Sequence, residues 1–300
     1  MTATYPDKSA ADFPREVLEL FDQFVHGDID RRAFVERSAA YATAGLTGAG
    51  FLAALTPDFA NAQMVSPRDT RIATQMVDIP SPQGNGTIQA LIARPVAAKG
   101  KLPVVIVAHE NRGLNPHIED IARRMAVDNF IAVAPDALTS LGGYPGDEDK
   151  AREMFAKLDQ PKVRNDFIAA SRYALGLTGG SGRLGAVGFC FGGGIVNMLA
   201  TRVPELRAAV PFYGPAPDLA LVKDIKAELL IHFAANDERV NATWPPYETA
   251  LKTAKVKYQA FTYAGTEHGF NNNTTPRFHP EAAKLAWTRT LALFARTLKG

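Results

Sequence analysis

Arg183-Leu184-Gly185-Ala186-Val187-Gly188-Phe189-Cys190-Phe191-Gly192-Gly193 joins a short apolar run to a glycine-flanked cysteine, and the segment after it, Gly193 to Thr201, has helical character. A run of this length bounded by glycines predicts a buried strand that passes straight into a helix. Such a turn lifts its central side chain out of the sheet, and Gly188 and Gly192 permit the tight backbone and close helix packing it needs. Cys190 stands where a G-x-S-x-G turn carries its serine, and it is the only cysteine in the chain. A free cysteine more commonly packs as a small hydrophobe. Here the two glycines, the strand before and the helix after favour a nucleophile. Ser181, within Gly179-Gly180-Ser181-Gly182, precedes a strand instead of following one and reads as a turn residue.

Outward from this turn the chain alternates apolar runs with helical stretches. Thr87 to Ala93, Leu102 to Ala108, Phe130 to Ala134, Leu206 to Val210, Leu229 to Ala234 and Val256 to Thr262 read as strands. Ile118 to Asn129, Asp149 to Leu175 with a break near Pro161, Pro246 to Ala254 and Pro280 to Leu298 read as helices. Strands without polar alternation, each followed by a helix, predict an α/β fold with a mostly parallel central sheet covered on both faces. Functional groups in such folds gather at the carboxyl ends of the strands.

The 300 residues are 46% hydrophobic and carry a formal net charge of +2. That suffices for one α/β domain of about 230 residues plus an extra segment. The charge is spread without a basic block, which predicts neither nucleic acid nor stable membrane association and makes a small molecule the expected partner. One cysteine cannot form an internal disulfide or a thiolate cluster, and the histidines show no paired ligand spacing, so no metal and no cofactor are expected. The expected assembly is a monomer or small homo-oligomer.

Residues 1–62 form a leader ahead of the catalytic domain, 63–300. Asp30-Arg31-Arg32-Ala33-Phe34-Val35 resembles a twin-arginine export signal, Ser38 to Thr56 carries no charge, and Ala60-Asn61-Ala62 has the small-x-small form of a cleavage site. This layout predicts export to the periplasm. The competing reading is a cytoplasmic chain with a helical arm, since Phe13, Val17, Leu18, Leu20, Phe21 and Phe24 fall at helical spacing. Arg31 and Arg32 are then solvated surface charges.

The strand ending at Ala234 runs into Asn236-Asp237-Glu238, and the last strand runs into Thr266-Glu267-His268-Gly269-Phe270. The order Cys190, Asp237, His268 is the nucleophile, acid, histidine order of the α/β-hydrolase fold. His268 would activate the thiol, with Asp237 fixing its tautomer. The backbone N–H of Phe191 and that of Asn111, in the loop after the strand Val104 to Ala108, would form the oxyanion hole.

Three segments, His109-Glu110-Asn111-Arg112-Gly113, Gly188 to Gly193 and Glu267-His268-Gly269-Phe270, resemble the dienelactone hydrolase (carboxymethylenebutenolidase) family, and the likeness runs from about Ile72 to Leu298. It implies hydrolysis of ester or lactone bonds through a thioester acyl-enzyme, with Glu110 contacting the cysteine and helping to activate it. Family members that open dienelactone grip its carboxylate with arginines, one of them four residues after the catalytic histidine; here that residue is Asn272. Arg112 or Arg277 are the available substitutes, and Tyr144 and Phe270 are candidate pocket walls. A different class of function, a binding or thiol-sensing protein on the same scaffold, would lack an element of the triad or carry a resolving cysteine; neither holds here.

Overall fold

The parallel strands are apolar along both faces, and this fixes the layering. The computed structural model describes residues 8–42 and 46–299. One sheet contains β1 (Ile72–Ser81), β2 (Gly86–Pro95), β3 (Leu102–Ala108), β4 (Ile131–Pro135), β5 (Gly180–Phe189), β6 (Leu206–Phe212), β7 (Glu228–Asn236) and β8 (Tyr258–Glu267), in the order β1-β2-β4-β3-β5-β6-β7-β8. β1 and β2 pair antiparallel, as do β2 and β4, and the remaining pairs are parallel. Along β3, Val105 and Val107 join a core that includes Ile118, Met125 and Phe294, while Val104 and Ile106 join one that includes Phe167, Ile195 and Leu251. Alternate residues thus bury against helices on opposite faces, as the side-chain period of two requires.

Eleven α-helices accompany the sheet among the described residues: α1 (Arg15–His26), α2 (Arg31–Ser38), α3 (Gly48–Leu55) and α4 (Phe59–Ala62) precede it. α5 (Pro116–Val127), α6 (Glu148–Phe155), α7 (Gln160–Leu175), α8 (Phe191–Arg202), α9 (Glu238–Asn241), α10 (Trp244–Thr253) and α11 (Pro280–Phe294) follow in turn. None is long and apolar enough to cross a membrane. β1 was not expected from the sequence. It is an edge strand whose middle residues are mostly exposed, so it lacks the apolar run that marks the buried strands.

Among the described residues the leader holds α1 to α4. Val17, Phe21, Phe24, Phe34, Phe51 and Leu55 bury one another in a small helical core. Arg31 pairs with Asp149 at 2.5 Å and Arg32 with Glu36 at 2.7 Å. Residues 43–45 of the charge-free stretch lie outside the described residues. The end of the arm is tied down: Asn273 Nδ2 donates to the Ala62 carbonyl at 2.6 Å, and the Asp58 N–H donates to the Thr274 carbonyl at 2.8 Å. Both acceptor and donor loops lie just beyond His268.

The turn at Cys190 leaves no room at its glycines. A Cβ on Gly192 would fall 2.1 Å from the Ala108 carbonyl oxygen, and one on Gly188 2.1 Å from the Gly192 oxygen. Both obstacles are backbone, so no rotamer relieves them. Gly192→Ala is expected to cost about 3 kcal/mol or more, read as a lower urea midpoint with an unchanged slope.

Candidate active site

Cys190 sits between the last residue of β5 and the first of α8 with φ +56° and ψ −115°. A non-glycine residue held there stores roughly 1–3 kcal/mol of strain. The turn is pinned by the Cys190 N–H donating to the Phe212 carbonyl at 3.1 Å. The positive end of α8 faces the sulfur's own residue and favours a thiolate.

Asp237 leaves the end of β7 and caps α9, accepting from the Val240 N–H at 3.2 Å. Its Oδ2 accepts from His268 Nδ1 at 2.6 Å. With Nδ1 so committed, Nε2 of His268 is the nitrogen left for chemistry, and it is buried without a hydrogen-bond partner. Cys190 Sγ and ring nitrogens of His268 and His26 all lie within 4.8 Å of one another. Burial alone would raise the Cys190 thiol, but the charge of His268 and then the contact with His26 outweigh it and hold the thiol well below its ordinary value. Burial conversely opposes the His268 imidazolium, yet the Cys190 charge and the Asp237 carboxylate lift it to about 10. The two directions describe one thiolate–imidazolium pair.

His26 was not among the residues singled out from the sequence. It is the last residue of α1, and its Nε2 lies 3.6 Å from Cys190 Sγ. Its ring packs edge-on against His268 with centroids 4.9 Å apart. The available signal was an Asp22-x-x-x-His26 pair one turn apart, directly before Gly27.

Two cavities, of about 690 Å³ and 620 Å³, meet at Cys190 and His26. Asn111 borders both and Phe191 borders the second. Glu110 borders the larger cavity. Burial, and then the Cys190 charge, push its carboxyl up to about 7, against the pull of Arg277. Its Oε2 accepts from Asn272 Nδ2 at 2.9 Å, so its bond is to Asn272 and its link to Cys190 is electrostatic. Tyr144 also lines this cavity, its hydroxyl donating to Glu148 at 2.9 Å. Phe270 corrects the expectation of a pocket wall: it is fully buried and packs on Tyr213 and Tyr263, because the turn after His268 points it back into the core.

The model of the dienelactone hydrolase family matches residues 88–298. The chain belongs to the dienelactone hydrolase family. It is a hydrolase of ester or lactone bonds. A Salmonella typhi protein named "Putative carboxymethylenebutenolidase" is 32% identical over 248 residues, 78% of this chain and 91% of that one. A Bradyrhizobium protein named "Probable 2-oxo-3-(5-oxofuran-2-ylidene)propanoate lactonase" is 32% identical over 236 residues, 73% and 93% of the two chains. The crystal structure titled as a "Putative Dienelactone Hydrolase" from Klebsiella pneumoniae superposes with a TM-score of 0.67 at 30% identity, covering 75% of this chain and 98% of that chain. Residues 5–43 match a separate family described as YqhI-like. The segment carrying His26 therefore falls outside the span that matches the hydrolase family.

The expected arginine four residues after His268 is Asn272, which binds Glu110 instead. Arg112 is engaged elsewhere: Nη1 donates to Asn111 Oδ1 at 2.6 Å and to the Val25 carbonyl at 3.3 Å, and Nε lies 3.8 Å from Glu148. Arg277 is the freer of the two. It borders the larger cavity, and its Nε and Nη1 are buried without a hydrogen-bond partner. The set His26, Cys190, His268 has the donor types of a soft divalent cation site, although no sequence spacing announces it. Arg239 Nη2, 2.8 Å from His26 Nε2, competes for the lone pair such an ion would need.

Proposed function

We propose that the chain opens small lactones and activated esters by covalent catalysis at Cys190. The observation that carries this reading is the run of contacts from Asp237 through His268 Nδ1 at 2.6 Å to a partnerless Nε2 beside the sulfur. The Cys190 thiolate attacks the carbonyl carbon, and the oxyanion is received by the backbone N–H groups of Phe191 and Asn111. His268 gives its Nε2 proton to the departing alkoxide, leaving a thioester and an alcohol. It then takes a proton from water as the hydroxide adds to the thioester. Collapse expels the thiolate and yields the carboxylic acid, whose ionisation leaves the imidazolium in place. Glu110, raised to about 7 by burial and by the Cys190 charge, acts on the sulfur through its charge. A lactone substrate is also what the names of the Salmonella and Bradyrhizobium relatives suggest.

A slowly deacylating p-nitrophenyl ester tests the mechanism. Intact mass spectrometry is expected to show one added acyl group, absent from Cys190→Ala; full turnover with no acyl-enzyme and an active Cys190→Ala protein would overturn it.

Arg277 supports a substrate bearing a carboxylate: it borders the larger cavity, its Nε makes no hydrogen bond, and its Nη1 has only the Asp22 carboxylate, 3.6 Å away. Arg277→Ala is expected to raise KM for a carboxylate-bearing lactone by roughly 10- to 100-fold, with a much smaller effect on a neutral ester of the same size. Comparing the two KM values checks this.

Twin-arginine export is a separate proposal, resting on Arg31, Arg32 and the charge-free stretch after them. Mass spectrometry of the native chain tests it: a chain beginning after Ala62 supports cleavage and would remove the arm and His26 from the mature enzyme, whereas an intact Met1 counts against cleavage and retains them.

A further inference from the structure

We propose that His26, carried by the N-terminal arm, is a second catalytic imidazole that hydrogen-bonds the sulfur of Cys190 and stabilises it as a thiolate. The inference rests on the reading of Cys190 as the nucleophile.

The geometry singles out one nitrogen. His26 Nδ1 donates to the Asp22 carbonyl at 2.8 Å and lies 3.3 Å from the Asp22 carboxylate, which leaves Nε2 facing both Sγ, 3.6 Å away, and Arg239 Nη2, 2.8 Å away. Asp22–His26 thus repeats the acid–imidazole pairing of Asp237–His268 on a different element. The ring's position is fixed at both ends of the arm's fold. Gly27, with φ +88°, ends α1 one residue later, so the imidazole sits at the helix carboxyl terminus, where a positive charge is favoured. The arm itself is held to the catalytic body: Asn111 Nδ2 donates to the Val25 carbonyl at 2.6 Å, Arg152 covers the Phe24 ring at 4.5 Å, and Arg277 covers the Phe21 ring at 5.1 Å. The side chain of His26 is only 13% exposed.

Five charged or titratable neighbours face this imidazole. Cys190 and Asp22 favour its protonated form, His268 and Arg239 oppose it, and Arg277, 3.6 Å from the Asp22 carboxylate, tempers Asp22. Nε2 can accept from Arg239 at 2.8 Å when neutral, or donate to the sulfur when protonated, but not both. A thiolate at Cys190 selects the second state. No proton leaves His26 during turnover. Its hydrogen bond weakens when the sulfur becomes an uncharged thioester and re-forms as the thiolate is expelled, so it assists that expulsion directly.

The single cysteine makes alkylation by iodoacetamide, followed by intact mass, a report on Cys190 that needs no turnover. The wild-type rate is expected to stay nearly level from about pH 6 to 8. In His26→Ala the midpoint, read from a profile extended below pH 6, should rise by at least about one pH unit. kcat/KM should fall roughly 10- to 100-fold. His26→Gln, which keeps a neutral donor on an intact helix, should recover part of kcat/KM without restoring the midpoint, and Asp22→Asn should shift the midpoint by less. Unchanged midpoints in both His26 variants overturn the proposal. So does faster turnover in His26→Ala, which would make His26 a plug. An active Cys190→Ala protein would instead sink the nucleophile reading, while the alkylation profile still judges the His26 contact on its own.

Discussion

Cys190→Ala is expected to lower kcat/KM for ester hydrolysis by at least about 10³-fold, leaving only what the oxyanion donors and the cavity supply. The Ala side chain fits the turn, so the melting temperature should change little and the loss should be chemical. Cys190→Ser is the sharper variant. A serine hydroxyl is not ionised by a neighbouring imidazolium, so the thiolate charge that raises His268 disappears. The variant then depends on general-base removal of a proton by His268 alone, and its activity should remain far below wild type despite the restored G-x-S-x-G pattern. Steady-state kinetics on one neutral ester, with melting curves for both variants, checks the pair. A serine variant within tenfold of wild type would show that thiolate formation contributes little.

Asp237→Asn is expected to cost roughly 10²- to 10⁴-fold in kcat/KM. Asparagine can still accept from the Val240 N–H and cap α9. Its amide removes the charge that holds His268 protonated and can present a donor to Nδ1, which favours the wrong tautomer. The pH profile separates these effects from misfolding. In the wild type the acid limb appears where the lowered Cys190 thiol regains its proton. His268, raised to about 10, keeps the proton it must give to the leaving alkoxide until the pH passes that value, so the alkaline limb falls there. Losing the Asp237 charge lowers the His268 value and brings the alkaline limb toward neutrality. An alkaline limb that stays put in Asp237→Asn would remove Asp237 from this role.

Much of this arrangement is written locally in the chain. Gly188, Cys190 and Gly192 announce their turn because the backbone clashes that exclude other residues arise within four positions and one neighbouring strand. Asp237 and His268 are readable because parallel strands deliver their carboxyl ends to one rim. Three features escape the same reading for identifiable reasons. β1 is a polar edge strand, paired on one side only and without an apolar face to betray it. Phe270 follows the histidine closely enough to suggest a pocket wall, but the turn at Gly269, with φ +88°, reverses its direction. His26 meets Cys190 across 164 residues, and the amphipathic pattern of α1 shows that a face is buried without showing against what.

The bond from Asn273 to the Ala62 carbonyl joins residues 211 apart in sequence, and it has a bearing on the order in which a growing chain can assemble. The arm leaves the ribosome first, but its end can be tied down only when the loop beyond His268, almost the last part to be made, has emerged. Until His268 has been made Cys190 lacks the imidazole paired with Asp237 and is closer in reactivity to an ordinary thiol. Closure of so long a loop then couples the appearance of a reactive sulfur to completion of the polypeptide. A nascent or truncated chain is spared the oxidation and stray acylation to which a prematurely activated cysteine would be exposed.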